Sequence, residues 1–185
     1  MGFLGSLIRP APDGRVLRPA GVGPCASGNA SMPLADLLAP DAVFPILRAS
    51  SKKQALQELA QQASLLIGRE QREIFDTLLQ RERLGSTGVG SGIAIPHGKL
   101  AKLDKLFGLF ARLEKPIDFE SLDGEPVDLV FLLLAPEAAG ADHLKALARV
   151  ARMLRDPEVV AKLRATRDAG AIYTILTAEN ASNAA

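Results

Sequence analysis

Several residue types that mark common protein classes are scarce in this sequence. The 185 residues include one cysteine, Cys25, and no tryptophan. A single cysteine excludes an intramolecular disulfide framework and a cysteine-rich zinc site, and it is typical of a reducing compartment. We therefore expect a cytoplasmic location. The longest apolar run, residues 129–136, is far shorter than the roughly 20 residues of a membrane-spanning helix, so we expect no direct membrane insertion.

The charge of the chain is almost balanced. There are 22 basic and 21 acidic side chains, and the formal net charge is +1. Proteins devoted to nucleic acids or to acidic membrane surfaces usually carry a clear excess of basic residues. We expect no nucleic-acid partner.

The motifs of several enzyme classes are also missing. The chain has two histidines, His97 and His143, and neither lies in an H-E-x-x-H zinc motif. The glycine-rich segment 85–92, GSTGVGSG, lacks the lysine of a phosphate-binding P-loop. No G-x-S-x-G nucleophile elbow is present. These absences argue against a zinc enzyme, a P-loop NTPase and a serine hydrolase.

The composition divides the chain into two parts. Residues 1–31 are dense in glycine, proline, alanine and serine and show no helical or strand period, which predicts a disordered extension. Met32 follows and is a candidate start site. Residues 32–185 have the periodicities of one folded domain.

The apolar periodicity of residues 32–185 predicts a single-domain α/β sandwich. Strands are expected at 42–49, 105–113 and 126–136, with a further strand that runs up to Pro96. Helices are expected in 50–66, in 69–85 with Gly85 as the cap, after Gly140, from Asp156 and in 169–178. The strand at 126–136 is nearly all apolar, which indicates a sheet with helices on both faces. In the helix after Gly140 we expect a core-facing apolar stripe of Leu144, Leu147, Val150, Ala151 and Leu154.

His97 stands between a proline and a glycine at the predicted end of a strand. Pro96 has no backbone donor, so sheet pairing should stop there. Gly98 has no Cβ atom, which would leave room for a large group beside the imidazole. An imidazole held in this way, with space beside it, would suit the binding of a phosphoryl group or a metal. From these residues alone, a histidine that merely hydrogen bonds to a neighbour is an equally good interpretation.

His143 and Arg81 are the next candidates. His143 lies in the first turn of the helix after Gly140, where free backbone donors favour an anion. A helix-start histidine that only contacts water is the alternative. Arg81 and Arg83 close a helix before the glycine-rich loop, where arginine ordinarily complements the helix dipole. The functional alternative is an arginine that holds phosphate oxygens near His97.

Residues 81–100, RERLGSTGVGSGIAIPHGKL, resemble the active-site segment of the enzyme IIA proteins of the phosphoenolpyruvate-dependent phosphotransferase system. The similarity is to the mannitol/fructose class and is closest to its nitrogen-regulatory branch. Segments 51–60, 113–136 and 142–156 also agree, so the resemblance spans roughly residues 34–179. It implies an α/β sandwich around a mixed central sheet, and it assigns residues 32–185 to one such domain.

The resemblance also implies roles for particular residues. His97 matches the histidine that accepts the phosphoryl group, with a tele-phosphohistidine expected, and His143 matches its partner histidine. Arg81 matches the arginine that stabilises the phosphate. Ser86 and Thr87 belong to the adjoining loop and would shape the binding pocket together with Gly98. No metal and no cofactor are implied.

The implied partners are an HPr-like phosphocarrier of the nitrogen branch (NPr) upstream and regulatory targets downstream, such as sensor kinases or potassium transport proteins. The function expected is a phosphocarrier with a nitrogen- and potassium-linked regulatory role, a relay component rather than a stand-alone metabolic enzyme. The alternative within the family is a sugar-specific IIA that passes phosphate to a IIB protein. A binding module without phosphorylation and a metal-dependent enzyme are weaker alternatives.

Overall fold

The computed structural model describes residues 33–178 of the chain. The predicted disordered extension and the candidate start at Met32 lie outside the described residues. That division of the chain stays a prediction.

Six strands form one mixed sheet, as the resemblance implied. The strands are β1 Leu38–Leu47, β2 Gly88–Gly90, β3 Ile93–Ala94, β4 His97–Leu100, β5 Phe107–Ile117 and β6 Val127–Pro136. In spatial order β1, β5, β6, β3 and β2 are neighbours, and β4 also pairs with β6. The pairs β1–β5, β3–β6 and β4–β6 are parallel, whereas β5–β6 and β2–β3 are antiparallel.

The short strands β3 and β4 are two halves of one line of backbone. Ile93 pairs with Leu129 and His97 pairs with Leu133, so both strands keep a single register along β6. The line is interrupted only at Ile95 and Pro96, because proline cannot donate to a ladder. This break positions the candidate site.

The helices largely follow the predicted pattern. They are α1 Leu34–Leu37, α2 Lys52–Ile67, α3 Gln71–Arg83, α4 Gly140–Met153, α5 Pro157–Ala165 and α6 Ala169–Ala178, with a 3-10 turn at Glu137–Ala139. Ser51 caps α2 by accepting from the Gln54 amide, and Asp156 caps α5 by accepting from two amides of its first turn. Both caps match the preference of helix starts for short polar side chains.

The core lies on both sides of β6. Every residue from Leu129 to Ala135 is buried, and successive strand residues point to opposite faces, so helices cover the sheet on both faces as predicted. Helix α3 packs on β4, α4 on β6, and α2 and α6 on β1. Among the described strands β1 pairs with β5 alone, so it lies at an edge of the sheet, where a proline such as Pro45 is tolerated.

Four details differ from the sequence-based expectations. The first strand begins at Leu38, directly after a short helix that no periodicity indicated. The glycine-rich loop contains β2, which pairs with β3 as a hairpin. Leu84, not Gly85, caps α3, and its amide bonds to the carbonyls of the last turn. Leu144 is 66% exposed, although Val150 and Leu154 of the same predicted stripe are buried.

Among residues 33–178, no helix is long and apolar enough to cross a membrane. The cytoplasmic location stays a prediction.

Candidate active site

His97 is the first residue of β4, whereas the sequence predicts a position at the end of a strand. Pairing with β6 pauses at Ile95 and Pro96, where the Pro96 carbonyl still accepts from the Leu133 amide at 2.9 Å. It resumes at His97, which pairs with Leu133. The imidazole is therefore mounted on a backbone that is fixed on both sides.

Both ring nitrogens of His97 have partners. Nδ1 lies 2.8 Å from the carbonyl oxygen of Ile95, and Nε2 lies 3.0 Å from Nε of Arg81. A carbonyl only accepts and a guanidinium only donates. The proton consequently sits on Nδ1, and Nε2 presents a lone pair.

Arg81 reaches this position from the last turn of α3. Its Nη1 donates to the Gly85 carbonyl at 2.9 Å, which fixes the guanidinium on the loop that follows the helix. The remaining N–H donors of the guanidinium are available to an anion beside Nε2. The structure thus brings together Arg81 and His97, as the functional alternative for Arg81 predicts.

His143 lies against His97. The two ring centroids are 5.7 Å apart and the planes are tilted by 59°. The His143 residue is 7% exposed, and its Nε2 has no hydrogen-bond partner among the described residues. A buried polar atom without a partner is unfavourable, and the residue that carries it lines the cleft beside His97.

Both imidazoles are biased toward the neutral form. Burial lowers the pKa of His97; the Ile95 carbonyl and the Glu82 charge oppose this, and the Arg81 charge adds to it. Burial also lowers the pKa of His143, with further contributions from His97 and Lys99. A neutral His97 keeps the Nε2 lone pair that a nucleophile requires.

An open cleft of about 630 Å³ lies beside the two histidines. Of the residues that the structure describes, three cationic side chains and no carboxylate line its walls. The lining residues are Thr77, Gln80, Arg81, Arg83, Leu84, His97, Gly98, Lys99 and His143. This composition favours an anionic group at Nε2 of His97.

Gly98 lines the cleft, but the space beside its Cα is already filled. A Cβ atom there would stand 2.6 Å from Cγ2 of Thr77 on α3. The clearance that the sequence indicated is therefore used by a helix packed on β4, and not by an incoming group.

Ser86 and Thr87 do not line the cleft. The Ser86 hydroxyl donates to the Phe119 carbonyl at 2.8 Å, and the Thr87 hydroxyl donates to Glu82 at 2.6 Å. These bonds hold the loop that leads to β2. The role predicted for the two residues in shaping the pocket stays a prediction, and any such role is indirect.

Sequence reasoning missed Glu82, which is buried at 6% exposure. A signal was present, because Ile74, Leu78 and Glu82 follow each other at intervals of one helical turn, and the first two face the core. Within residues 33–178, no group of three histidine, cysteine or acidic side chains is arranged to hold a metal ion.

Residues 36–179 match the family described as phosphoenolpyruvate-dependent sugar phosphotransferase system, EIIA 2. The chain belongs to this EIIA-2 family. Membership implies phosphotransfer partners, either carriers that deliver a phosphoryl group or proteins that receive one.

Within the EIIA-2 family, the relatives include several nitrogen regulatory proteins. The nitrogen regulatory protein of Bradyrhizobium diazoefficiens is 68% identical over 145 residues, which are 78% of this chain and 95% of that protein. That of Escherichia coli is 37% identical over 153 residues, which are 82% and 93% of the two chains. The crystal structure of nitrogen regulatory protein IIA-Ntr from Neisseria meningitidis has a TM-score of 0.74 at 33% identity and covers 78% of this chain and 99% of that one. These similarities confirm the nitrogen-regulatory branch of the EIIA-2 family.

Proposed function

We propose that His97 accepts a phosphoryl group from an HPr-like phosphohistidine carrier and that the chain acts as a nitrogen-regulatory phosphocarrier. The observation that carries the proposal is the state of the imidazole. Nδ1 donates to the Ile95 carbonyl, so the lone pair is on Nε2, which faces the cationic cleft.

The transfer step exchanges one N–P bond for another. The Nε2 lone pair of His97 forms a bond to phosphorus as the bond between phosphorus and the carrier imidazole breaks, and that electron pair returns to the carrier nitrogen. The Nδ1 proton stays in place, so the positive charge that develops on the ring is stabilised by the Ile95 carbonyl. The product is phosphorylated on Nε2, the tele position. Such transfers depend mainly on positioning and charge stabilisation.

Arg81 and His143 supply that stabilisation. Arg81 Nε is already within 3.0 Å of Nε2, and a small rotation would move its donors onto the oxygens of a phosphoryl group. His143 also lines the cleft, and in its Nε2–H tautomer, after a small movement of the ring, it would donate the unpartnered Nε2 hydrogen to an anion there. Both groups interact more favourably with the phosphorylated state than with the free state.

The test is phosphorylation in a defined mixture. The protein is incubated with phosphoenolpyruvate, enzyme I and an HPr-like carrier, and acid-labile phosphate is measured by intact mass. One phosphoryl group is expected on the wild type and none on His97→Ala. Phosphorylation of His97→Ala to the same extent would contradict the site assignment.

A regulatory role is distinguished from sugar transport by the binding partners of the two phosphorylation states. The nitrogen regulatory relatives favour the regulatory role. Pull-downs with phosphorylated and unphosphorylated protein are expected to retain sensor kinases or potassium transport proteins in one state only. State-dependent retention of a IIB protein, with transfer of the phosphoryl group to it, would support the sugar-specific alternative instead.

A further inference from the structure

Glu82 is a buried carboxylate outside the cleft, directly after Arg81 in the last turn of α3. It accepts three hydrogen bonds or ion pairs: from the Thr87 amide at 3.0 Å, from the Thr87 hydroxyl at 2.6 Å and from the Lys52 amine at 3.1 Å. A buried charge is tolerated only when it is paired and hydrogen bonded, and Glu82 meets both conditions.

Lys52 lies between the Glu82 carboxylate and a second carboxylate, that of Glu120. Its side chain is 18% exposed, and its amine also contacts Glu120 at 2.7 Å. Burial opposes the charge of Lys52, but the bonds to Glu120 and Glu82 together raise the pKa of its amine. Glu82 is thus held by a cation at the start of α2.

One chain of hydrogen bonds leads from Glu82 to Nδ1 of His97. Glu82 binds the amide and hydroxyl of Thr87, the Thr87 carbonyl accepts from the Ile95 amide at 2.9 Å, and the Ile95 carbonyl accepts from His97 Nδ1 at 2.8 Å. Each link is a backbone group or a short side chain. The position of the Ile95 carbonyl therefore depends on where Glu82 holds Thr87.

A second, shorter route leads from Glu82 to Nε2 of His97. Arg81 precedes Glu82 on the same helical turn and donates to Nε2 from its Nε and to the Gly85 carbonyl from its Nη1. The Glu82 carboxylate ties this end of α3 to Thr87 and to Lys52. Both partners of the His97 ring are consequently set by segments that Glu82 anchors.

We propose that Glu82 is a positioning residue for phosphoryl transfer: through Thr87 and Ile95 it fixes the Nδ1–H tautomer of His97, and through the end of α3 it places Arg81 at Nε2. This inference rests on the proposed function of His97. Glu82 touches neither the imidazole nor the cleft. Its charge raises the pKa of His97 through space, but its effect on the tautomer and on Arg81 is transmitted by the backbone segments that it holds.

The experiment compares Glu82→Gln with Asp128→Asn. Both substitutions turn an ion-paired carboxylate into an amide of the same size, but Asp128 is paired with Arg164, at 2.7 and 2.8 Å, and neither residue contacts the His97 partners. Three quantities are measured: the His97 tautomer from the ring ¹⁵N shifts, the transfer rate at saturating carrier, and thermal unfolding. The ring spectra are simple because the chain has two histidines.

Glu82→Gln is expected to move the ¹⁵N shifts of His97 toward an even mixture of tautomers. It should lower the saturating transfer rate by about 10- to 100-fold, since a misplacement of about 1 Å can cost this much. Asp128→Asn should lower the unfolding temperature and leave the tautomer of His97 unchanged. The proposal is overturned if Glu82→Gln affects unfolding alone, or if both variants change the tautomer equally.

A pair of variants at Thr87 keeps the test decisive if Glu82→Gln does not fold. Thr87→Val removes the 2.6 Å bond to Glu82, whereas Thr87→Ser retains a hydroxyl for it. We expect Thr87→Val to shift the His97 tautomer more than Thr87→Ser does; equal spectra would overturn the proposal. The tautomer is read in the unphosphorylated protein, so the result stands even if His97 accepts no phosphate and the proposed function fails.

Discussion

Replacing Gly98 by alanine tests how the packing of α3 on β4 supports the site. The new Cβ atom would stand 2.6 Å from Thr77 Cγ2 and 3.9 Å from Leu78 Cδ2. Carbon atoms in favourable contact are about 3.5–4.0 Å apart, so roughly 1 Å is missing at Thr77. Either the helix moves away from the strand, or the Thr77 side chain rotates and loses its 2.8 Å bond to the Glu73 carbonyl.

The expected cost follows from both ways of relieving the contact. Overpacking of a well-packed interior typically costs about 1–3 kcal/mol, and loss of the Thr77 bond costs about 0.5–1.5 kcal/mol. Gly98→Ala should therefore lower the free energy of unfolding by about 1–3 kcal/mol. Because α3 carries Arg81, the rate of phosphoryl transfer to His97 should fall as well.

The assay is denaturant unfolding combined with the transfer rate, in a double-mutant cycle with Thr77→Ser. That second change removes Cγ2 and keeps the hydroxyl, so it removes the obstacle to the new Cβ atom. The double variant should recover at least half of the stability and rate that Gly98→Ala loses, a coupling within the usual range of about 0.5–3 kcal/mol. Additive effects of the two substitutions would refute the argument.

Three further predictions concern the histidines, the arginine and a helix cap. Burial lowers the pKa values of His97 and His143 below the ordinary 6.5, so the unfolded chain binds protons first as the pH falls. Their contribution to the free energy of unfolding is complete above pH 6.5 and is lost as the pH falls through the folded-state pKa values. The free energy of unfolding of the double variant His97→Ala/His143→Ala should therefore change less between pH 7 and 5 than that of the wild type. Arg81→Lys should slow transfer to His97 by at least about 10-fold, because a lysine cannot reproduce the fork of donors. An unchanged rate in a quenched time course of transfer would contradict the role of the guanidinium. Asp156→Ala should cost about 1 kcal/mol of stability, because it removes the α5 cap, without altering transfer, and a slower reaction would indicate that the α5 start contributes to the site.

The sequence was sufficient for the elements whose signals are local. Asp156 and the proline after it are a cap and a first helical turn, and the structure places α5 there. The apolar run at β6 predicted a strand buried on both faces, because no amphipathic pattern remained. Most of the stripe predicted for α4 faces the core, and Leu144 is the exception. Leu144 lies about 120° from Val150 around the helix axis and is exposed, whereas His143 lies about 20° from Val150 and is buried.

The parts that could not be predicted depend on contacts between distant segments. Gly98 carries no sign that Thr77 fills the space beside it, because the two residues are far apart along the chain. Glu82 was overlooked because a charged residue near a helix end is ordinarily exposed. Its burial makes sense only with Lys52, which reaches it from another helix.

The same interruption of the sheet accounts for both the position and the chemistry of His97. If β3 and β4 were one uninterrupted strand, the Ile95 carbonyl and the backbone at position 96 would both belong to regular ladders. Pro96 has no backbone donor at this point, and the Ile95 carbonyl accepts the Nδ1 proton of His97, two residues further along the chain. The bond fixes the tautomer, and the tautomer leaves the lone pair on Nε2, in front of Arg81. A break of two residues in a buried strand thereby gives the imidazole the fixed orientation that the proposed attack by Nε2 requires.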